Sequence, residues 1–175
     1  KLTAAHLPPQ LEAIAPYTFE NCTALTDVVL GEKVTSIFYE AFYNCTALKE
    51  LTLHDKITAL GEAAFAYSGL TSLTVPASVK RIRSRAFQYS DIETIVFVGD
   101  APAFEEDAFS GITASAVYHS SNSTWTEDKL QDYGGDITWV DADYHEHVYK
   151  AVIIDPTCTQ NGYTLHTCTI CGENY

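Results

Sequence analysis

With 175 residues, 10 Lys/Arg against 23 Asp/Glu and a formal charge of −13 at pH 7, the chain is strongly acidic. That balance speaks against a nucleic-acid or anionic-membrane partner, because phosphate binding runs on clustered basic residues, and no apolar run of membrane-spanning length occurs. The charge is also uneven: residues 1–103 hold 8 basic and 11 acidic side chains, and residues 104–175 hold 2 and 12.

The chain opens on Leu2, Leu7 and Leu11, which stand 23 positions ahead of Leu25, Leu30 and Val34. It therefore starts inside a repeat, and the expectation is a fragment of a longer array, which also accounts for the lack of a signal peptide. The repeat is plainest where FENCTAL at 19–25 returns as FYNCTAL at 42–48. Aligned on the aromatic residue, Phe19, Phe42, Phe65, Phe87 and Phe109 follow one another at 23, 23, 22 and 22 positions. Five residues earlier come Ile14, Ile37, Leu60, Ile82 and Phe104, and directly before each Phe comes Thr18, Ala41, Ala64, Ala86 or Ala108.

Stacked turns place equivalent residues one strand spacing apart, roughly 4.8 Å, so each apolar column becomes a core column. The alternating pairs Val28 and Leu30, Leu51 and Leu53, Leu73 and Val75, Ile95 and Phe97 predict short parallel strands. The AF segments predict the opposite, convex wall as short helical or 3₁₀ turns. Three residues after the Phe the column reads Cys22, Cys45, Ser68 and Ser90 before lapsing to Ile112, so that position selects a small, slightly polar side chain, and Cys22 and Cys45 are expected as free buried thiols. The sequons at Asn21 and Asn44 lie beside this column and read as accidents of the repeat.

The pattern resembles the BspA-type leucine-rich repeats of bacterial surface proteins, closely over residues 14–103 and best in LGEAAFAYSGL at 60–70. The resemblance implies an α/β leucine-rich-repeat solenoid of 22–23-residue repeats over residues 1–118, and adhesion to a host or matrix protein at the cell surface or after secretion. The strand residues that point outward, Asp27 and Val29, Glu50 and Thr52, Ser72 and Thr74, Thr94 and Val96, form the candidate binding face. Tyr43, Tyr67 and Tyr89 on the other wall compete with it. The basic stretch VKRIRSR at 79–85 reads as a solvated turn.

From about residue 119 the period is lost. STWTEDKLQDYGG at 123–135 predicts a short helix with Thr124 or Thr126 as its cap, and DITWV at 136–140 a strand. Residues 119–142 are expected to cap the solenoid, with Trp125 and Trp139 packed inside.

Residues 143–175 form a separate Cys-rich ribbon in which Cys168 and Cys171 have zinc-knuckle spacing. With Cys158 and His147 they make a candidate Cys₃His site for a structural zinc, with His145 and His166 as rival ligands. A disulfide from Cys158 to Cys168 or Cys171, or neither arrangement, are the alternatives. The stretch resembles a short module that recurs in tandem in surface proteins of Gram-positive gut bacteria.

No phosphate loop, nucleophile elbow, dinucleotide fingerprint or HExxH occurs, and the reading is a non-enzyme. The leading expectation is a protein-binding module. The alternatives are a spacer projecting other domains from the cell wall, or a metal-stapled tail that docks or binds carbohydrate.

Overall fold

A computed structural model describes residues 1–144 and the strand segments 149–154 and 163–168. The chain divides into two compact units, Lys1–Ala142 and Asp143–Tyr175. The strands of the first are β1 (Ala4–His6), β2 (Ala13–Ile14), β3 (Asp27–Val29), β4 (Ser36–Ile37), β5 (Ala59–Leu60), β6 (Ser72–Val75), β7 (Arg81–Ile82), β8 (Thr94–Phe97), β9 (Ala103–Phe104), β10 (Thr113–Tyr118) and β11 (Asp136–Asp141). In the second, β12 (Tyr149–Ile154) pairs antiparallel with β13 (Tyr163–Cys168).

The first unit is a parallel β-solenoid of about six turns. One ladder runs β2-β4-β5-β7-β9 and carries the column of Ile14, Ile37, Leu60, Ile82 and Phe104. The strand face is built by β1-β3 and by β6-β8-β10-β11. Between the two pieces, Leu51 and Leu53 are buried and Thr52 is exposed, as a strand's alternation requires, yet Leu51–Leu53 has no cross-turn backbone hydrogen bond. The gap lies where the repeat shortens: CTAL at 45–48 becomes SGL at 68–70, and Gly69 sits so close to the Thr46 carbonyl that a Cβ there would lie 2.1 Å from its oxygen.

Phe19, Phe42, Phe65, Phe87 and Phe109 stack as one ladder with centroids 5.1, 5.5, 5.7 and 5.8 Å apart. Burying each ring stabilises the fold by about 1.5–3 kcal/mol before ordering costs. The Ala that precedes the Phe is fully buried at 41, 64, 86 and 108, which leaves room for the next turn's backbone to approach.

The AF wall is not helical, and the expected α/β architecture gives way to an almost purely β one. The residue two before the Phe is left-handed in four turns (Tyr17, Glu40, Ala63, Arg85), and so is the residue two after it (Asn21, Asn44, Tyr67, Tyr89, Gly111). Left-handed residues at that spacing break any helical run, which needs consecutive right-handed residues. They turn the peptide N–H groups toward the next turn: Tyr17 donates to the Tyr39 carbonyl at 3.1 Å, Phe19 to Ala41 at 2.8 Å and Asn21 to Tyr43 at 2.8 Å. The Asn of both sequons is therefore a conformational choice, because Asn tolerates this region better than most residues. Asn44 also donates its amide to Asn21 Oδ1 at 2.8 Å.

Beyond Tyr118 the expected helix contracts to a 3₁₀ turn at Glu127–Lys129. Local side chains compete with it: Asn122 Oδ1 accepts from the Thr124 amide and hydroxyl, and Thr126 Oγ1 bonds Asp128 Oδ1 instead of capping the backbone. Strand β11 adds directly to β10, in register from Thr113 with Asp136 to Tyr118 with Asp141. Trp125 and Trp139 join Phe97, Phe104, Tyr118 and Tyr133 in an aromatic cluster over the last turn. Their indole N–H groups donate to the Gly99 and Gln131 carbonyls, so both are packed and hydrogen-bonded. The next turn is imitated rather than made: Phe109 and Gly111 donate to the carbonyls of Tyr133 and Gly134, both of which have positive φ.

Candidate binding surface

Pairing across the strand face places Ser72 beside Thr94, Thr94 beside Ser115 and Ser115 beside Thr138. It likewise aligns Thr74, Val96, Val117 and Val140. At the other end, Ala4 is level with Asp27 and His6 with Val29, and the His6 imidazole lies 3.5 Å from the Asp27 carboxylate. Asp27, Val29, Glu50, Thr52, Ser72 and Thr74 are exposed, and Thr94 and Val96 half-buried. Six of the eight candidate positions lie on the two paired strand pieces, and Glu50 and Thr52 stand in the gap between those pieces.

The extension through Ser115, Val117, Thr138 and Val140 was missed because ITASAVY at 112–118 drops the Leu of the motif. The outward period-two alternation beginning at Thr113 is the signal that carries it. The face is thus a hydroxyl row beside a valine row toward its C-terminal end, and a charged patch toward its start.

The gap in the strand face opens two shallow clefts that share Thr52. One, of about 540 Å³, is bounded by Asp27, Val29, Glu32, His54, Asp55 and Lys56. The other, of about 300 Å³, is bounded by Glu50, Ser72 and Thr74. In the first, His54 has both ring nitrogens occupied: Nε2 meets the Gly31 carbonyl at 3.1 Å and Nδ1 accepts from the Lys56 amide at 3.3 Å.

Three of the four cations in the basic stretch 79–85 are matched by acids of the following turn. Lys80 pairs with Asp100 at 3.1 Å, Arg83 with Glu105 at 3.9 Å and Arg85 with Asp107 at 3.2 Å. The Asp107 carboxyl is held below its ordinary range, chiefly by a hydrogen bond from Ser84 and further by the Arg85 guanidinium. Asp100 is lowered by hydrogen bonds from Asn122 and Lys80.

Cys22 and Cys45 are free thiols. Cys45 donates Sγ–H to the Phe19 carbonyl at 3.1 Å, and burial, with Cys22 close by, pushes its pKa up to about 12. It is a packing residue, not a nucleophile.

Among the described residues no group of three or more His, Cys, Asp or Glu could hold a metal ion, and no helix is long and apolar enough to cross a membrane. Of the candidate zinc ligands, Cys168 ends β13 with its backbone paired to Tyr149. His147, Cys158 and Cys171 lie outside the described residues, as does the rival His145.

The repeat columns and the parallel ladders meet in one finding: the model of the BspA type leucine rich repeat region matches residues 1–115 in six copies. The chain belongs to this family. No curated protein matches it. Among solved structures, a leucine-rich repeat protein from Bacteroides ovatus is similar with TM-score 0.54 and 23% identity, covering 66% of this chain and 31% of that one. The pneumococcal vaccine antigen PcpA is similar with TM-score 0.52 and 15% identity, covering 79% and 42%. The chain thus spans less than half the length of either, and at these identities the likeness is one of fold. The six copies include the turn that opens with Leu2 and Leu7, whose strand β1 stacks on β3 at an offset of 23 residues. In this BspA-type solenoid the sixth turn is closed by aromatic packing instead of a further repeat.

Proposed function

We propose that this chain is a non-catalytic binding module of a cell-surface or secreted protein, and that it engages a protein partner through its strand face. The observation that carries the reading is the pair of outward columns, kept in register from β6 through β8 and β10 to β11. Stacked repeats commonly use such a surface for ligands, and interface size grows with each turn added. Asp27, Val29, Glu50, Thr52, Ser72, Thr74, Thr94 and Val96 are the proposed contacts, continued by Ser115, Val117, Thr138 and Val140. A host or matrix protein is the proposed partner class, in keeping with the surface-protein resemblance of the repeats and with a vaccine antigen sharing the fold.

The test is surface plasmon resonance against a panel of immobilised extracellular-matrix proteins. Thr52→Arg with Thr94→Arg abolishes capture while leaving the melting temperature unchanged if the face binds. Retained capture by that variant refutes the face, and no capture by the parent chain favours a spacer that only projects other domains.

A further inference from the structure

The wall opposite the strand face carries a second, chemically different surface. Four aromatic rings stand well out of it: Tyr17 at 52% exposure, Phe38 at 47%, Tyr67 at 40% and Tyr89 at 54%. Neighbouring turns hold the rings in place. Tyr17 meets Tyr39 edge to face at 5.1 Å, and Tyr43, Tyr67 and Tyr89 form a run at 5.4 and 5.3 Å. Tyr89 lies over Gly111, where a Cβ would fall 2.3 Å from its ring, so the run ends on a position with room only for glycine. The rings are pre-ordered, and little rotamer entropy remains to be lost when a partner covers them.

Two carboxylates stand among these rings. The Tyr39 phenol is raised above its ordinary range, first by its hydrogen bond to Glu40. Burial raises the Tyr43 phenol, with Tyr67, Glu40 and Glu20 adding to it. Among the described residues neither Glu20 nor Glu40 has a cationic partner, whereas Arg83 and Arg85, further along the same wall, are taken by Glu105 and Asp107. Phenol rings, exposed at Tyr17, Tyr67 and Tyr89 and half-buried at Tyr39 and Tyr43, beside carboxylates without a cation complement a guanidinium or ammonium, which gains from the ring quadrupole and from the carboxylate together. We propose that the wall formed by Tyr17, Tyr39, Tyr43, Tyr67 and Tyr89 with Glu20 and Glu40 docks a Lys/Arg-bearing segment of a partner protein. This surface is independent of the strand face.

The experiment is a ¹H–¹⁵N NMR titration of the full chain with a Gly-Arg repeat peptide, and with a Gly-Gln peptide of equal length as control. Glu20→Gln with Glu40→Gln, and separately Tyr67→Ser, weaken binding of the basic peptide roughly fivefold or more, and the shifts map to the aromatic wall. Glu127→Gln with Asp132→Asn, which removes the same charge elsewhere, leaves affinity within about twofold, as the loss of remote, screened charge should. The proposal is overturned if the two peptides bind alike, if the remote charge pair weakens binding as much as Glu20 and Glu40 do, or if shifts map to the strand face. Since Glu→Gln keeps the shape of the side chain at exposed Glu20 and half-buried Glu40, an unchanged spectrum separates lost binding from lost folding.

Discussion

Replacing Phe65 by Ala tests the layered construction most directly. Phe65 is 0% exposed and stacks between Phe42 at 5.5 Å and Phe87 at 5.7 Å. Its removal costs the transfer free energy of a buried ring and leaves a cavity, about 3–5 kcal/mol for Phe→Ala. Two ring contacts, each worth about 0.5–1.5 kcal/mol beyond area, place it at the top of that range. Phe19, 5% exposed and stacked on Phe42 alone, belongs at the bottom. The two tryptophans sit in the closing cluster, so their fluorescence follows the C-terminal end while far-UV circular dichroism follows every turn. Because turns couple only to their neighbours, urea melts by the two probes coincide in the parent and separate in Phe65→Ala, with the tryptophan signal surviving longer. A loss below about 1 kcal/mol, the ordinary size for a point change, or equal losses at Phe19 and Phe65, would refute the reasoning.

The small polar column makes a finer prediction. Ser68 Oγ is buried without a hydrogen-bond partner, whereas Ser90 Oγ donates to the Phe87 carbonyl at 2.9 Å. Chemical denaturation should find Ser68→Ala neutral or stabilising and Ser90→Ala costing about 1 kcal/mol. Asp107 has a folded pKa below its unfolded one, so its contribution is present above about pH 4 and is lost as pH falls through the folded value. Asp107→Asn should flatten the acid limb of a thermal-stability profile and leave the neutral region less stable. The sequence pattern of residues 143–175 predicts one zinc per chain by native mass spectrometry without chelator, lost in Cys168→Ser. A metal-free mass two hydrogens below the reduced value would mark a disulfide instead.

Much of the solenoid was legible because repetition turns sequence position into spatial position. Once Phe19 and Phe42 occupy one column, every residue between them acquires a neighbour 22 or 23 positions away. The period-two strand at 136–140 was legible too, although its pairing partner was not. The AF wall was read as short helical or 3₁₀ turns because nothing in Glu40, Ala63, Arg85 or Tyr67 advertises a left-handed backbone. Those angles are imposed by cross-turn hydrogen bonds, and propensity does not record such bonds. The fate of Lys80, Arg83 and Arg85 was equally hidden, because their partners lie 20 to 22 residues ahead and pairing depends on side-chain reach.

What the sequence determined alone was the period, the core columns, the alternation that turns Asp27 to Val96 outward, and the small residue before each Phe. These follow from burial and stacking, and both are periodic. Tertiary structure alone decided the gap at Leu51–Leu53, the Glu20 and Glu40 carboxylates left without a cation beside the tyrosine run, and the continuation of the strand face into β11. Each depends on the spacing between particular turns, which is set by packing among neighbours and not by any one repeat.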